Sequence, residues 1–185
     1  MRCLTTIEIS DWLSRMEVPE DPYWGKPNSV HYLQFYAPPE HRRVEAFSRM
    51  FYQQIVPHSE LLIHITDWVF YTPSEMLVID AVRGSHNESR RLIDAPGHLV
   101  DQSESDLGIA LFSLSASYAW KSYLYSPHLR TTLYNWDGEI FDFWTNGTQE
   151  YLAMKSLLSQ FSFTETTEAE QAADGKTPEA PHPPH

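Results

Sequence analysis

With 185 residues, of which 42% are hydrophobic and 14% aromatic, the chain has the length of one domain and enough apolar area for its own core. A formal net charge of −12 argues against nucleic-acid binding, which needs clustered Lys and Arg to neutralise phosphate. No window approaches the ~18 consecutive apolar residues of a membrane-spanning helix, and the single cysteine, Cys3, has no intramolecular disulfide partner.

Chain order gives the following elements. Thr5-x-x-Glu8 forms the pattern of a capping box opening a short helix with Ile9, Trp12, Leu13 and Met16 on its apolar side. Residues 17–28, with Pro19, Pro22 and Pro27, read as a loop. Val30 to Tyr36 is β-prone and stops at Pro38-Pro39; from Pro39 to Ile55, Val44, Phe47, Phe51 and Ile55 recur at helical spacing, and Pro57 closes that helix. Leu61 to Tyr71 predicts a long strand. Thr72-Pro73-Ser74-Glu75 then starts a helix ending near Gly84, with Thr as cap and Pro at the first position.

Residues 85–91 are a polar connection, and 92–100 enclose a Pro96-Gly97 pair suited to a type II turn. Ser103-x-x-Asp106 opens a helix with Leu107, Leu111, Leu114 and Tyr118 on one side, and 122–125 read as a short strand. Thr131 to Trp144 holds two β-rich arms around Asp137-Gly138, the signal of a two-residue hairpin turn. Thr145 or Asn146 would cap a last helix over 148–161, with Tyr151, Leu152, Leu158 and Phe161 inward. The pattern predicts an α+β (mixed α/β) domain over residues 1–163: one mostly antiparallel or mixed sheet backed by helices, its C-terminal hairpin followed by a helix.

Residues 164–185 are a different class of sequence, with five acids, one Lys and four prolines but no aromatic or large aliphatic residue. Such a segment cannot bury enough surface to offset its ordering entropy and is expected to be a disordered tail. Without it, residues 1–163 keep 12 basic and 20 acidic side chains, so the body is acidic too.

A two-residue turn pairs Trp136 with Glu139, Tyr134 with Phe141 and Thr132 with Phe143 on one face. Asn135 with Ile140, Leu133 with Asp142 and Thr131 with Trp144 then fall on the other. The mixture of Trp144, Ile140 and Asp142 on that second face is unusual for a solvated surface. A covering helix is one explanation; a contact surface with Trp136, Asp137, Glu139, Asp142 and Trp144 as partner-binding residues is the other.

Asp94-Ala95-Pro96-Gly97-His98 is the most distinctive short string. Turn geometry suffices to explain it, but Asp94 and His98 could meet across the turn as an acid/base pair, although no activated nucleophile such as Gly-x-Ser-x-Gly accompanies them. His64 and Asp67, three apart in a strand-like run, project to opposite faces. The histidines show no zinc spacing, no Gly-rich phosphate loop exists, and neither a metal nor a cofactor is expected.

Three landmarks in order, Trp68-x-Phe70 before the Thr72-Pro-Ser-Glu75 cap, Asp94-Ala-Pro-Gly-His98-Leu99, and the closing acidic-aromatic hairpin, resemble small soluble bacterial proteins, some of them immunity partners of secreted toxins. The resemblance covers roughly residues 60–145. It implies a non-enzymatic α+β protein that binds a partner, and it assigns no catalytic residue.

The expected function is therefore that of an acidic cytoplasmic binding protein meeting a protein partner with a basic surface, with no nucleic acid or membrane involved. The alternative is a small hydrolase-type enzyme using His98 with Asp94. The reducing compartment is expected from the lone cysteine and from Met1–Leu4, which begins no signal peptide.

Overall fold

The computed structural model describes residues 1–23, 30–37, 41–56 and 60–166, the side chains of 41 and 42 excepted. The expected breaks at Pro38-Pro39 and Pro57, and residues 167–185 of the expected tail, lie outside these residues.

The elements are β1 (Arg2–Leu4), α1 (Thr6–Met16), β2 (His31–Tyr36), α2 (His41–Gln54), β3 (Leu61–Asp67), α3 (Pro73–Gly84) and β4 (Gly97–Val100). There follow α4 (Ser105–Ser117), β5 (Lys121–Ser126), β6 (Thr131–Asn135), β7 (Ile140–Thr145), α5 (Thr148–Phe161) and β8 (Thr164–Glu165). Among the described residues the eight strands form one sheet in the order β1-β4-β3-β5-β6-β7-β2-β8, and all neighbours are antiparallel. The α+β expectation holds.

Local chemistry explains the helix starts. At α1 the Thr5 hydroxyl accepts from the Glu8 amide at 3.3 Å while the Glu8 carboxylate accepts from the Thr5 amide at 2.8 Å, a reciprocal cap that satisfies two otherwise orphaned donors. At α3 Pro73 stands in the first turn, but the Thr72 hydroxyl caps no helix amide; the Glu75 carboxylate instead accepts from the Tyr71 amide at 2.9 Å and the Thr72 hydroxyl at 3.1 Å. Asp101, rather than Ser103, caps the 3₁₀ turn leading into α4. Gly147 is the cap residue of α5, because Asn146 is engaged with the Val30 amide and the Thr145 hydroxyl with the Gly147 amide.

Four strand assignments differ from the sequence expectation, the first being β3, which stops at Asp67 instead of running on to Tyr71. Gly97 does not occupy a turn: it begins β4, paired with Leu4 on one side and His64 on the other. Its backbone is not left-handed; a Cβ there would lie 2.8 Å from Ile9 Cγ1, so the missing side chain serves the close seating of α1. β1 lies on the open side of β4 and was not anticipated. The tail boundary moves as well, since Thr164–Glu165 pair with β2 and the Thr166 amide donates to the Gln34 carbonyl at 2.9 Å.

Strand alternation divides the side chains between two faces. Ile63, Leu124, Leu133, Phe143 and Leu33 share one row, on the face covered by α2, α4 and α5, where Phe47, Phe51, Phe112 and Leu157 complete the main core. On the opposite face α1 packs Ile9, Trp12 and Leu13 onto Leu4, Leu62 and Tyr125. Helix α1 thus covers the β1-β4-β3-β5 half. Among the described residues no helix covers the β6-β7-β2 half, which positions the candidate site.

The hairpin register differs by one residue from the two-residue expectation. Thr132 faces Trp144, Leu133 faces Phe143, Tyr134 faces Asp142 and Asn135 faces Phe141, with Asp137, Gly138 and Glu139 at the tip. A one-residue slip reassigns the partners across the ladder. Leu133, Phe141 and Phe143 therefore enter the core together, and Tyr134, Trp136, Asp142 and Trp144 gather on the other face. The tip is fixed by Gly138, at φ 85°, whose amide donates to Asn135 Oδ1 at 2.7 Å; any Cβ there would sit 2.0 Å from the Ala116 carbonyl oxygen. Asn135 is tied in turn to the Trp120 carbonyl at 2.9 Å, so the turn is seated against the end of α4.

Candidate functional site

Adjacent rows of β6, β7 and β2 build the uncovered face. One row holds Thr132, Trp144 and Tyr32; the next holds Tyr134, Asp142 and Gln34, continuing through Tyr123 to His64. Tyr134 stacks on Tyr123 with centroids 4.2 Å apart and planes 18° apart, and lies 4.9 Å from Trp136. Tyr32 tilts over Trp144 at 5.4 Å. From the chain between α1 and β2, Tyr23 stands edge-on to Trp144 at 4.8 Å and to Trp136 at 6.1 Å.

At the centre lies Asp142, with no exposed surface. Its carboxylate accepts three hydrogen bonds: from the Tyr32 hydroxyl at 2.6 Å, from the Tyr23 hydroxyl and from Trp136 Nε1. All three donors are neutral, and no Lys, Arg or His of the described residues pairs with it. Burial, reinforced by the neighbouring carboxylate, pushes the Tyr23 and Tyr32 phenols far up, so both stay protonated donors. Burial also raises Tyr134 to about 12, with Asp142, Asp21, Asp67 and Asp137 adding to the rise. These last three carboxylates mark an acidic rim, to which exposed Glu139 at the hairpin tip adds.

Of the predicted contact residues, Asp137 and Glu139 are exposed and Trp136 is half-buried, whereas Asp142 and Trp144, the latter 5% exposed, lie beneath the surface. Asp142 and Trp144, expected as surface contact residues, present almost no surface of their own in the free chain. Their cover is the rings of Tyr23, Tyr32 and Trp136 rather than a helix. Tyr32 remains 40% exposed and Tyr123 half-buried, so rings stay accessible above the carboxylate. The sequence reading missed Tyr23, Tyr32, Tyr123 and Tyr134. Tyr32, Gln34 and Tyr36, which alternate with Leu33 and Phe35, carried the signal for a second, amphipathic face of β2.

Asp94 and His98 are not brought together. Exposed Asp94 is gripped by Arg91 through two bonds of 2.8 Å, which hold its carboxyl below the usual range. His98 is fully buried in the row of Cys3 and Ile63, edge-on to Trp68 at 6.0 Å, and neither ring nitrogen has a hydrogen-bond partner among the described residues. Burial, then the Arg83 guanidinium, depress its pKa to about 3; the Ile63 backbone opposes this only weakly. The expected acid/base pair is therefore not formed: Asp94 is ion-paired at the surface and His98 is enclosed in the sheet. Burial also raises the Cys3 thiol to about 11, the opposite of an activated nucleophile.

Comparison with known proteins adds no relative: no family model matches the chain, and no curated protein or solved structure matches it. Among the described residues no helix is long and apolar enough to cross a membrane.

Proposed function

We propose that the protein is a non-enzymatic cytoplasmic binding protein that engages a basic surface of a protein partner, as an immunity protein does in neutralising a basic toxin or enzyme. The observation that carries this is the uncovered half of the sheet, where Tyr32, Tyr123 and Trp136 remain reachable around a buried carboxylate and Asp21, Asp67, Asp137 and Glu139 supply negative charge. Aromatic anchors inside a polar rim are the composition of protein-binding hot spots, and an acidic rim steers a basic partner while repelling phosphate. Trp136, Asp137 and Glu139 are the surface contact residues in this reading, with Asp142 and Trp144 buried directly beneath them.

The test uses the protein encoded by any toxin-like reading frame adjoining its gene. Asp67→Lys with Glu139→Lys changes two exposed side chains; among the described residues Asp67 pairs with Lys121 at 3.6 Å, and Glu139 has no ion partner. The association rate should fall about tenfold at low salt, and less at high salt, with the unfolding midpoint unchanged. Association at the unaltered rate would refute the proposal.

A further inference from the structure

Resting on that reading, we infer that the aromatic enclosure around Asp142 opens to receive an arginine side chain of the partner, and that the Tyr23 hydroxyl holds its place in the free protein. The first ground is the charge balance. A carboxylate without exposed surface is costly unless fully hydrogen-bonded or paired with a cation, and Asp142 has only neutral donors among the described residues. It is satisfied but not compensated, so a cation arriving there meets an anion already stripped of water.

The second ground is what surrounds it. Tyr23, Tyr32, Tyr134, Trp136 and Trp144 wall the carboxylate, with ring centroids of neighbouring pairs 4.8 to 6.4 Å apart. Ring faces attract cations, most strongly when desolvated. A guanidinium suits this wall better than an ammonium: it is planar, stacks on rings, is less strongly hydrated, and can take both carboxylate oxygens at once.

The third ground is the asymmetry of the three donors. Tyr32 belongs to β2 and is set by its pairing with Trp144, and Trp136 is set by its amide bond to the Ile140 carbonyl at 3.0 Å. Tyr23 lies outside any strand or helix; its amide bond to Asp21 Oδ1 at 2.8 Å is local. It is the donor whose departure leaves the sheet unchanged. An arginine entering from the acidic rim would replace the Tyr23 hydroxyl on Oδ2, the oxygen it shares with Trp136, and leave the Tyr32 and Trp136 bonds in place.

Tyr23→Phe and Asp142→Asn test this with a short tri-arginine peptide and its tri-citrulline counterpart, neutral and of nearly the same shape, each titrated against the full chain by tryptophan fluorescence. The native protein should bind tri-arginine at least tenfold more tightly than tri-citrulline. Tyr23→Phe, which removes only the competing hydroxyl, should tighten tri-arginine binding about three- to tenfold. Asp142→Asn should weaken it about tenfold or more. If Asp142→Asn fails to fold by near-ultraviolet circular dichroism, Tyr23→Phe decides alone. Unchanged or weaker tri-arginine binding by Tyr23→Phe, or equal binding of the two peptides, overturns the inference. Such a result combined with a rate loss in the Asp67→Lys, Glu139→Lys protein would leave the surface reading standing and remove only the arginine pocket.

Discussion

Replacing Arg83 with alanine should destabilise the fold by about 3–5 kcal/mol, measured by urea unfolding at neutral pH. Arg83 ends α3, yet its side chain is only 1% exposed. Its guanidinium donates to the carbonyls of Ala95 at 2.9 Å, Arg90 at 3.0 Å and Arg91 at 3.4 Å, gathering the connection before β4 onto the helix. Alanine would leave the buried Ala95 carbonyl without this donor and a cavity where the stem packed. The planar fork reaches several acceptors at once, so Arg83→Lys should recover less than half of the loss. A loss below about 1 kcal/mol for Arg83→Ala would show that the connection is held by other contacts.

Acid should find the second weak point, in the same corner of the molecule. Arg83 of α3, His64 of β3 and Glu88 of the connection after α3 act electrostatically on His98, whose strand partner on β1 is Cys3. An unfolded histidine titrates near 6.5, whereas burial sets His98 at about 3 and His64 at about 4 in the fold. Between those limits the unfolded chain binds more protons, so stability is whole above 6.5 and erodes as pH falls, by about 1.4 kcal/mol per pH unit for each fully shifted histidine. His64, set higher than His98, stops adding to the loss sooner, below about pH 4. At pH 4.5 His98 alone should cost on the order of 2–3 kcal/mol. His98→Leu should match the native protein within about 1 kcal/mol at pH 7.5 and exceed it by about 2 kcal/mol at pH 4.5, in parallel urea titrations. An equal acid loss in both proteins would place the sensitivity in His64 or in the carboxylate pairs, such as Glu88 with Arg90, instead.

How far this architecture was legible in the sequence depended on the range of the forces involved. The α1 cap was readable because Thr5 and Glu8 satisfy each other within one turn. The apolar stripe of α2 was readable because Val44, Phe47 and Phe51 follow the helical period. β4 was not: it is four residues long, and Pro96-Gly97 has the chemistry of a turn, while the real need for glycine is set by Ile9, distant in sequence. The hairpin was readable as a hairpin, but its register rests on the seating of Gly138 against the Ala116 carbonyl, a long-range contact invisible in Asp137-Gly138 itself. That single residue of slip moved Asp142 from the partner of Leu133 to the partner of Tyr134. It turned an expected surface carboxylate into the buried centre of an aromatic cluster.

The same slip explains why the candidate site was found in part. The string from Trp136 to Trp144 lies within the uncovered face, with Asp137 and Glu139 exposed at its tip. Tyr23 and Tyr32 come from more than a hundred residues away, and only the antiparallel pairing of β2 with β7 brings Tyr32 onto the Asp142 face. The Asp94–His98 string misled for the complementary reason. Neighbours in sequence diverge in space, one ion-paired at the surface and the other buried in the sheet.

The most direct test of the central claim is hydroxyl-radical footprinting of the full chain, free and bound to a basic partner protein, taken from any toxin-like reading frame adjoining its gene. Protection concentrated on Tyr32, Tyr123 and Trp136, with Tyr71 and Met76 on and beside α3 unchanged, is the predicted result. A bound complex in which those three rings react as fast as in the free protein would contradict the account.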